Sequence, residues 1–249
     1  MSEDYVCAVA ETPVRVPWIH VRDVRVAEEG RWEFRDSALT WHPPQRYALS
    51  SKFDPVPCYP HDRAVAADAA AHVQERCPPL WDVDCFLADR EEIARTNGHS
   101  ALDEGHYDDG EWVKERRGLI MLSGKRIPPH PAMTRYLVAH EYGHNVGYMI
   151  NSLREEKHAS STDRLYREYA KTRGLPESSV HHGDGGTWHD SCAEIFACDF
   201  RLLVCDVEPG FWPHPGIPRP EDLLAVRAWW LAALVQLEQA RERAPREAI

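Results

Sequence analysis

No two of the seven cysteines stand as CxxC, and their number is odd. Neither a paired-cysteine zinc knuckle nor a disulfide framework is therefore expected. Cys7, Cys58, Cys77, Cys85, Cys192, Cys198 and Cys205 read as reduced small side chains, mostly buried, which fits synthesis in the cytoplasm. No window reaches 18 consecutive apolar residues, so no transmembrane helix is expected. The opening MSEDYVCAVAETP holds acids and no basic n-region, unlike a secretory signal. Positive charge is also short: 29 Lys and Arg against 40 Asp and Glu leave a formal net charge of −11. That balance argues against a general nucleic-acid binder and against docking on an anionic membrane. No internal repeat is present, and no methionine follows Met149.

What is present suits one domain of moderate size, or a domain with an appendage. Hydrophobic residues make up 43%, enough for a sizeable core. Residues 14–41 predict β structure, with Glu29-Gly30 as a hairpin turn before Arg31-Trp32-Glu33-Phe34. Residues 42–61 hold five prolines and predict a linker, dividing an N-terminal segment, 1–60, from a main domain, 61–249. Residues 64–77 read as an Ala-rich helix capped by Asp62 and stopped by Pro78-Pro79. Residues 81–87 alternate as a short strand. Residues 96–111 are polar and predict a solvated loop, with His99 and His106 among acids as a weaker cation-site alternative. Residues 118–124, GLIMLSG, are an apolar run that predicts a buried strand. Further on, Asp163–Arg173 predicts an amphipathic helix ended by Gly174. A polar loop follows, then an apolar helix capped by Asp190 or Ser191 and running to about Cys205. Residues 221–243 predict a long final helix.

The chemistry-bearing stretch is residues 132–151, AMTRYLVAHEYGHNVGYMIN. Within it His140-Glu141-Tyr142-Gly143-His144 is an HExxH motif. On an α-helix positions i and i+4 share a face, so His140 and His144 can aim ring nitrogens at one Zn²⁺. Glu141 then stands where a carboxylate can take a proton from an attacking water. The flanking apolar residues predict a buried helix of roughly 18 residues, and Pro131 suits its first turn. Gly143 and Gly147 weaken that helix by about 1 kcal/mol each relative to Ala, which implies something packed close to it.

A catalytic zinc usually takes a third protein ligand. The continuation HExxHxxGxxH is absent, because Ile150 stands where its last histidine would be, and no later methionine can form a Met-turn. A GTxD arrangement is approached by Gly186-Thr187-Trp188-His189-Asp190, one residue too long, which keeps Asp190 as an alternative ligand. The stronger candidate is Glu194, on a second helix. Ala193 and Ala197 flank it at helical spacing, small enough to let that helix approach the first. Ser191-x-x-Glu194 is also a capping box, which would turn the same carboxylate toward its own helix start.

HEYGH followed by AEIFACDFR resembles the catalytic domain of anthrax toxin lethal factor and related gluzincin-type zinc peptidases, including Pro-Pro endopeptidases. The resemblance spans about residues 118–205 and rests on these two motifs; in that group a motif like AEFFAEAFR supplies the ligand Glu. It implies a zincin-like α+β fold, a small mixed sheet packed on the HExxH helix with a mostly helical C-terminal half. It implies His140, His144 and Glu194 as ligands of one zinc, and Glu141 as general base. It also implies an edge strand ahead of the motif helix that binds extended substrate by strand addition. The expected activity is hydrolysis of a peptide bond in a protein or peptide substrate. The group's transition-state Tyr, seven residues before the ligand Glu, is absent: Thr187 occupies that place, beside Trp188 and His189. His189 is the expected oxyanion donor, with His181 and His182 as alternatives. Two other readings stay open. One is an intracellular regulatory protease acting on a repressor-like partner. The other is a structural or assembly protein whose zincin core binds zinc without turnover.

Overall fold

The computed structural model describes residues 5–6, 19–24, 31–35, 38–42, 59–88, 97–103, 106–108, 111–113, 116–154, 162–180, 188–208 and 212–243. The architecture is mixed α+β. The chain divides into two compact units. The first takes residues 1–71 and 81–138, and the second 72–80 and 139–249.

The first unit is built on a five-stranded sheet. Its strands are β1 (Tyr5–Val6), β2 (Ile19–Val24), β5 (Val83–Ala88), β9 (Arg117–Leu122) and β6 (Gly98–Asp103), in that spatial order. β2, β5 and β9 run parallel, while β1 and β6 close the two edges antiparallel. Parallel strands covered on both faces read as continuous apolar runs, and Leu119, Ile120, Met121 and Leu122 of β9 are all buried. Because β2 pairs with β5, the strand before residue 60 and the one after it belong to one sheet. The hairpin β3 (Arg31–Arg35) and β4 (Ala38–His42) and the short pair β7 (His106–Asp108) and β8 (Glu111–Val113) complete the strands. The proposed turn at Glu29-Gly30 and most of the proline-rich linker lie outside the described residues.

Two expectations change here. β9 is an interior strand, held by β5 on one side and β6 on the other, so it has no free edge for strand addition. Residues 96–111, expected as a solvated loop, supply that edge strand and a small hairpin. Local sequence is a weak guide there, because an edge strand is half-exposed and formed by its partner's ladder rather than by its own apolar content. His99 lies exposed on β6, opposite Met121.

Helix α1 (Arg63–Arg76) begins at Asp62, whose Oδ1 accepts a hydrogen bond from the Val65 amide at 2.9 Å, as capping requires. Its Ala66, Ala69, Ala70 and Val73 are buried. Helix α2 (Pro131–Ser152) carries the HExxH motif and passes from the first unit into the second. It starts with Pro131 in its first turn and runs a little longer than expected.

The second unit is helical. α3 (Asp163–Arg173) ends at Gly174, whose φ of 70° is the left-handed cap that glycine accepts without penalty. α4 (Cys192–Leu203) and α5 (Leu224–Arg243) follow, with a short 3-10 turn at Pro220–Asp222 before α5. An aromatic cluster fills the space between these helices. Tyr169 meets Phe196 edge-on at 4.9 Å and Trp229 at 4.7 Å, and Phe196 lies 4.7 Å from Trp230. One ion pair is wholly buried in this core: Arg173 Nε lies 2.8 Å from Asp199 Oδ2, and both side chains are fully enclosed. The Tyr169 hydroxyl donates to the same carboxylate, and Trp230 Nε1–H donates to the Tyr169 oxygen at 3.0 Å. Among the described residues, no helix is long and apolar enough to cross a membrane.

Candidate metal centre

Three helical side chains converge in the second unit. α2 contributes His140 and His144 from successive turns, and α4 contributes Glu194. One nitrogen from each ring and one carboxylate oxygen all lie within 4.8 Å of one another, and this trio could hold a metal ion. Glu194 Oε2 is 3.0 Å from His140 Nε2 and 3.6 Å from His144 Nε2. The two rings stand edge to face, 5.0 Å apart.

The approach of the two helices rests on small residues. A Cβ at Gly143 would lie 2.9 Å from the Ala197 Cα, 3.1 Å from the Ala197 carbonyl oxygen and 3.2 Å from Phe200 Cδ1. The backbones of α2 and α4 therefore touch one turn beyond Glu194. Gly147 faces softer neighbours, since its Cβ would meet the Tyr166 hydroxyl at 3.1 Å and Phe196 Cε1 at 3.5 Å. The capping-box alternative is not formed. Ser191 holds the extended N-cap conformation without a side-chain cap bond, and Glu194 faces the histidines.

Burial and charge shape every group in the trio. Burial pushes the His140 imidazole down, against its hydrogen bond to the Glu194 carboxylate. Burial also opposes a charge on His144, but the charge and hydrogen bond of Glu194, and then the charge of Glu141, raise it. Glu194 is held well below the usual carboxylate range. Burial works against its charge, and the His144 charge with hydrogen bonds from both rings overcomes that penalty. Glu141 is 5% exposed, and burial pushes its carboxyl up to about 8. On the far side of the His140 ring, Nδ1 lies 3.4 Å from Cys198 Sγ.

A short 3-10 turn, Trp188–Asp190, borders the trio. The Trp188 ring is 6.0 Å from the His140 ring and stacks on His214 at 5.1 Å with a 13° interplanar angle. Two histidines tie this turn to the segment around Pro213. His189 Nδ1–H donates to the Pro213 carbonyl at 2.6 Å, and His214 Nδ1–H donates to the His189 carbonyl at 2.7 Å. His214 is fully enclosed, and burial pushes its imidazole down to about 4.

The expected ligands His140, His144 and Glu194 are thus together, with Glu141 on the same helix. Asp190 sits on the exposed 3-10 turn and outside the trio. His189 is bound to the Pro213 carbonyl, and none of its described contacts reaches the ligand atoms. His181, His182 and Thr187 lie outside the described residues. Two neighbours of the trio are not marked as such in the sequence. Cys198 was expected as plain core, although it follows Glu194 by four residues and so shares its helix face. His214 stands alone between prolines, with no local signal. Comparison with family models, with curated proteins and with solved structures gives no match for this chain.

Proposed function

We propose that this chain is a zinc-dependent metallopeptidase with a gluzincin ligand set on a zincin-like fold. The observation that carries the proposal is the convergence of His140 Nε2, His144 Nε2 and Glu194 Oε2 from two helices, with the buried carboxyl of Glu141 one residue past the first ligand. The donor set fits zinc: two imidazole nitrogens and one carboxylate leave a fourth position open, the composition of catalytic rather than structural sites. The rings already present Nε2 toward the carboxylate, the atoms a shared cation would take.

When bound there, zinc would supply Lewis acidity and make a water more acidic. The chain's residues supply the rest. Glu141 accepts the proton of the attacking water and returns it to the leaving amine. Its buried position keeps that proton nearby, and a cation beside it would draw the carboxyl back toward its charged form. His189 holds its Nδ1 hydrogen on Pro213, so only as an imidazolium does it have a second N–H to offer an oxyanion. Trp188, 42% exposed, offers an apolar face to a peptide substrate beside the ligand trio.

The test has two parts. Protein reconstituted with zinc is assayed for metal content and then against a peptide library. Glu141→Gln is expected to keep its zinc and to lose hydrolysis by roughly 10²–10⁴-fold. Protein that binds no zinc sinks the proposal. Stoichiometric zinc with no cleavage of any peptide by the wild type moves the reading to a zinc-binding core without turnover.

A further inference from the structure

The contact between Cys198 and the first ligand histidine has a chemical consequence. Cys198 lies one helical turn after Glu194 on α4, so one helix face carries both the carboxylate and the thiol. Its sulfur is 3.4 Å from His140 Nδ1 and fully buried. On the opposite side of the ring, Nε2 is 3.0 Å from Glu194 Oε2. A carboxylate can only accept, so the ring hydrogen sits on Nε2 in this arrangement. A neutral imidazole then presents a bare Nδ1, which needs a donor. If Nε2 instead gives its lone pair to a cation, the ring hydrogen must sit on Nδ1, which then needs an acceptor. A carbonyl or carboxylate at this place serves only the second state, and an amide N–H only the first. A thiol serves both, as weak donor and weak acceptor.

We propose that Cys198 is a two-way positioning partner of His140, donating to Nδ1 while the ring is hydrogen-bonded to Glu194 and accepting from Nδ1–H while Nε2 holds a metal. The exchange is balanced. The ring has one hydrogen in each state, bonded to Nε2 in the first and to Nδ1 in the second, and the thiol keeps its own by rotating it out of the contact. The site thus stays hydrogen-bonded with and without metal, and the ring need not turn to load. This rests on the metal-site reading above and adds a residue that sets how firmly the first ligand is held. Outer partners of ligand histidines typically contribute about 10–100-fold in metal affinity.

The experiment uses the full chain, chelated and zinc-loaded. Nitrogen-15 spectra of the His140 ring are expected to show the hydrogen on Nε2 in the chelated protein and on Nδ1 in the loaded one. Zinc affinity, measured by competition with a chromophoric chelator, should fall about 10–100-fold in Cys198→Ala, and the chelated variant should also melt below wild type, because Nδ1 loses its buried donor in that state. Cys198→Ser, which keeps a group able both to donate and to accept, should recover most of the loss. Wild-type affinity in Cys198→Ala, with the wild type binding zinc, overturns the role of the thiol and leaves the metal site standing. Absence of zinc binding in the wild type removes the metal site itself. If Cys198→Ala does not fold, the wild-type spectra decide, and the same ring tautomer in both states overturns the proposal.

Discussion

Replacing Gly143 by alanine tests whether the contact of α2 with α4 builds the site. The new Cβ would stand 2.9 Å from the Ala197 Cα. Carbon atoms rest at about 3.5–4.0 Å, so the backbones must part by roughly 0.6 Å. The blocking atoms belong to the main chain of α4 and cannot rotate away. Helix propensity alone favours alanine by about 1 kcal/mol, while overpacking of this kind costs about 1–3 kcal/mol. The net expectation for the chelated protein is a loss of roughly 0–2 kcal/mol. A second effect is expected on zinc binding. Glu194 rides on α4, one turn before Ala197, and metal–ligand distances tolerate only about ±0.2 Å. If half the overpacking strain is relieved by drawing α4 back, zinc affinity falls roughly two- to twelvefold. Competition titrations and melts of the chelated protein measure the two effects separately. Gly147→Ala is the matched control, since its Cβ meets the ends of Tyr166 and Phe196 rather than backbone. That variant should be neutral or stabilised by up to about 1 kcal/mol with zinc affinity unchanged. A Gly143→Ala protein about 1 kcal/mol more stable than wild type, with full zinc affinity, would refute the reasoning.

Glu194→Ala should abolish tight zinc binding, and Glu194→Asp should weaken it by pulling the ligand oxygen back from the ~2.0–2.2 Å that zinc requires; wild-type titration curves in both would remove Glu194 from the ligand set. Asp199→Ala strands the Arg173 guanidinium in the core and should cost about 3–5 kcal/mol in denaturant unfolding, and a loss below 1 kcal/mol would show that the pair is not holding this core together. Glu141 also makes stability depend on pH in chelated protein. Burial raises its carboxyl from 4.5 to about 8, with the His144 charge opposing and the Glu194 charge adding, so the folded state keeps a proton that the unfolded chain has released. Its contribution is full below about 4.5 and is lost as pH rises through about 8, at up to about 1.4 kcal/mol per pH unit. Urea midpoints of wild type should therefore fall relative to Glu141→Gln between pH 5 and pH 8, and parallel pH profiles for the two proteins would refute that burial cost.

The parts of this fold that could be read in advance are those whose signal is local. α2, α3 and α4 declare themselves by apolar periodicity, and α1 by its Asp62 cap and the prolines that stop it. β9 does so by an apolar run long enough to be covered on both faces. The two histidines are legible for the same reason, since helical spacing alone brings them together. Glu194 lies 54 positions from His140 in the chain, yet it was also legible. The sequence records the closeness of the two helices as missing side-chain bulk, in Gly143 on one and in Ala193 and Ala197 on the other.

What was not legible depends on partners far away in the chain. β6 carries Gly98, His99 and Ser100, none of which favours a strand, and becomes one because β9 offers it a ladder. α5 shows the opposite failure: its apolar residues circle the helix, so sequence alone could not say that Val226, Trp230, Ala233 and Leu237 are buried while Leu224 is 79% exposed. The surroundings of the candidate ligand trio follow the same rule. Trp188 and His214 stack only because the turn at 188–190 is tied to the segment at 213–214 through His189 and His214, each bonded to the other segment's carbonyl. A histidine used in that way is indistinguishable in sequence from one that donates to an oxyanion. In this chain the Nδ1 hydrogen of His189 is bonded to a carbonyl, so the expected donor must act through its other nitrogen or not at all. If the proposed peptidase activity holds, His189→Ala separates these roles, because loss of the tie loosens the turn and raises KM for peptides, whereas loss of a transition-state donor lowers kcat. A fall in kcat of roughly tenfold or more with KM unchanged would establish His189 as the donor, and a rise in KM alone would leave it as the clasp that holds Trp188 beside the ligands.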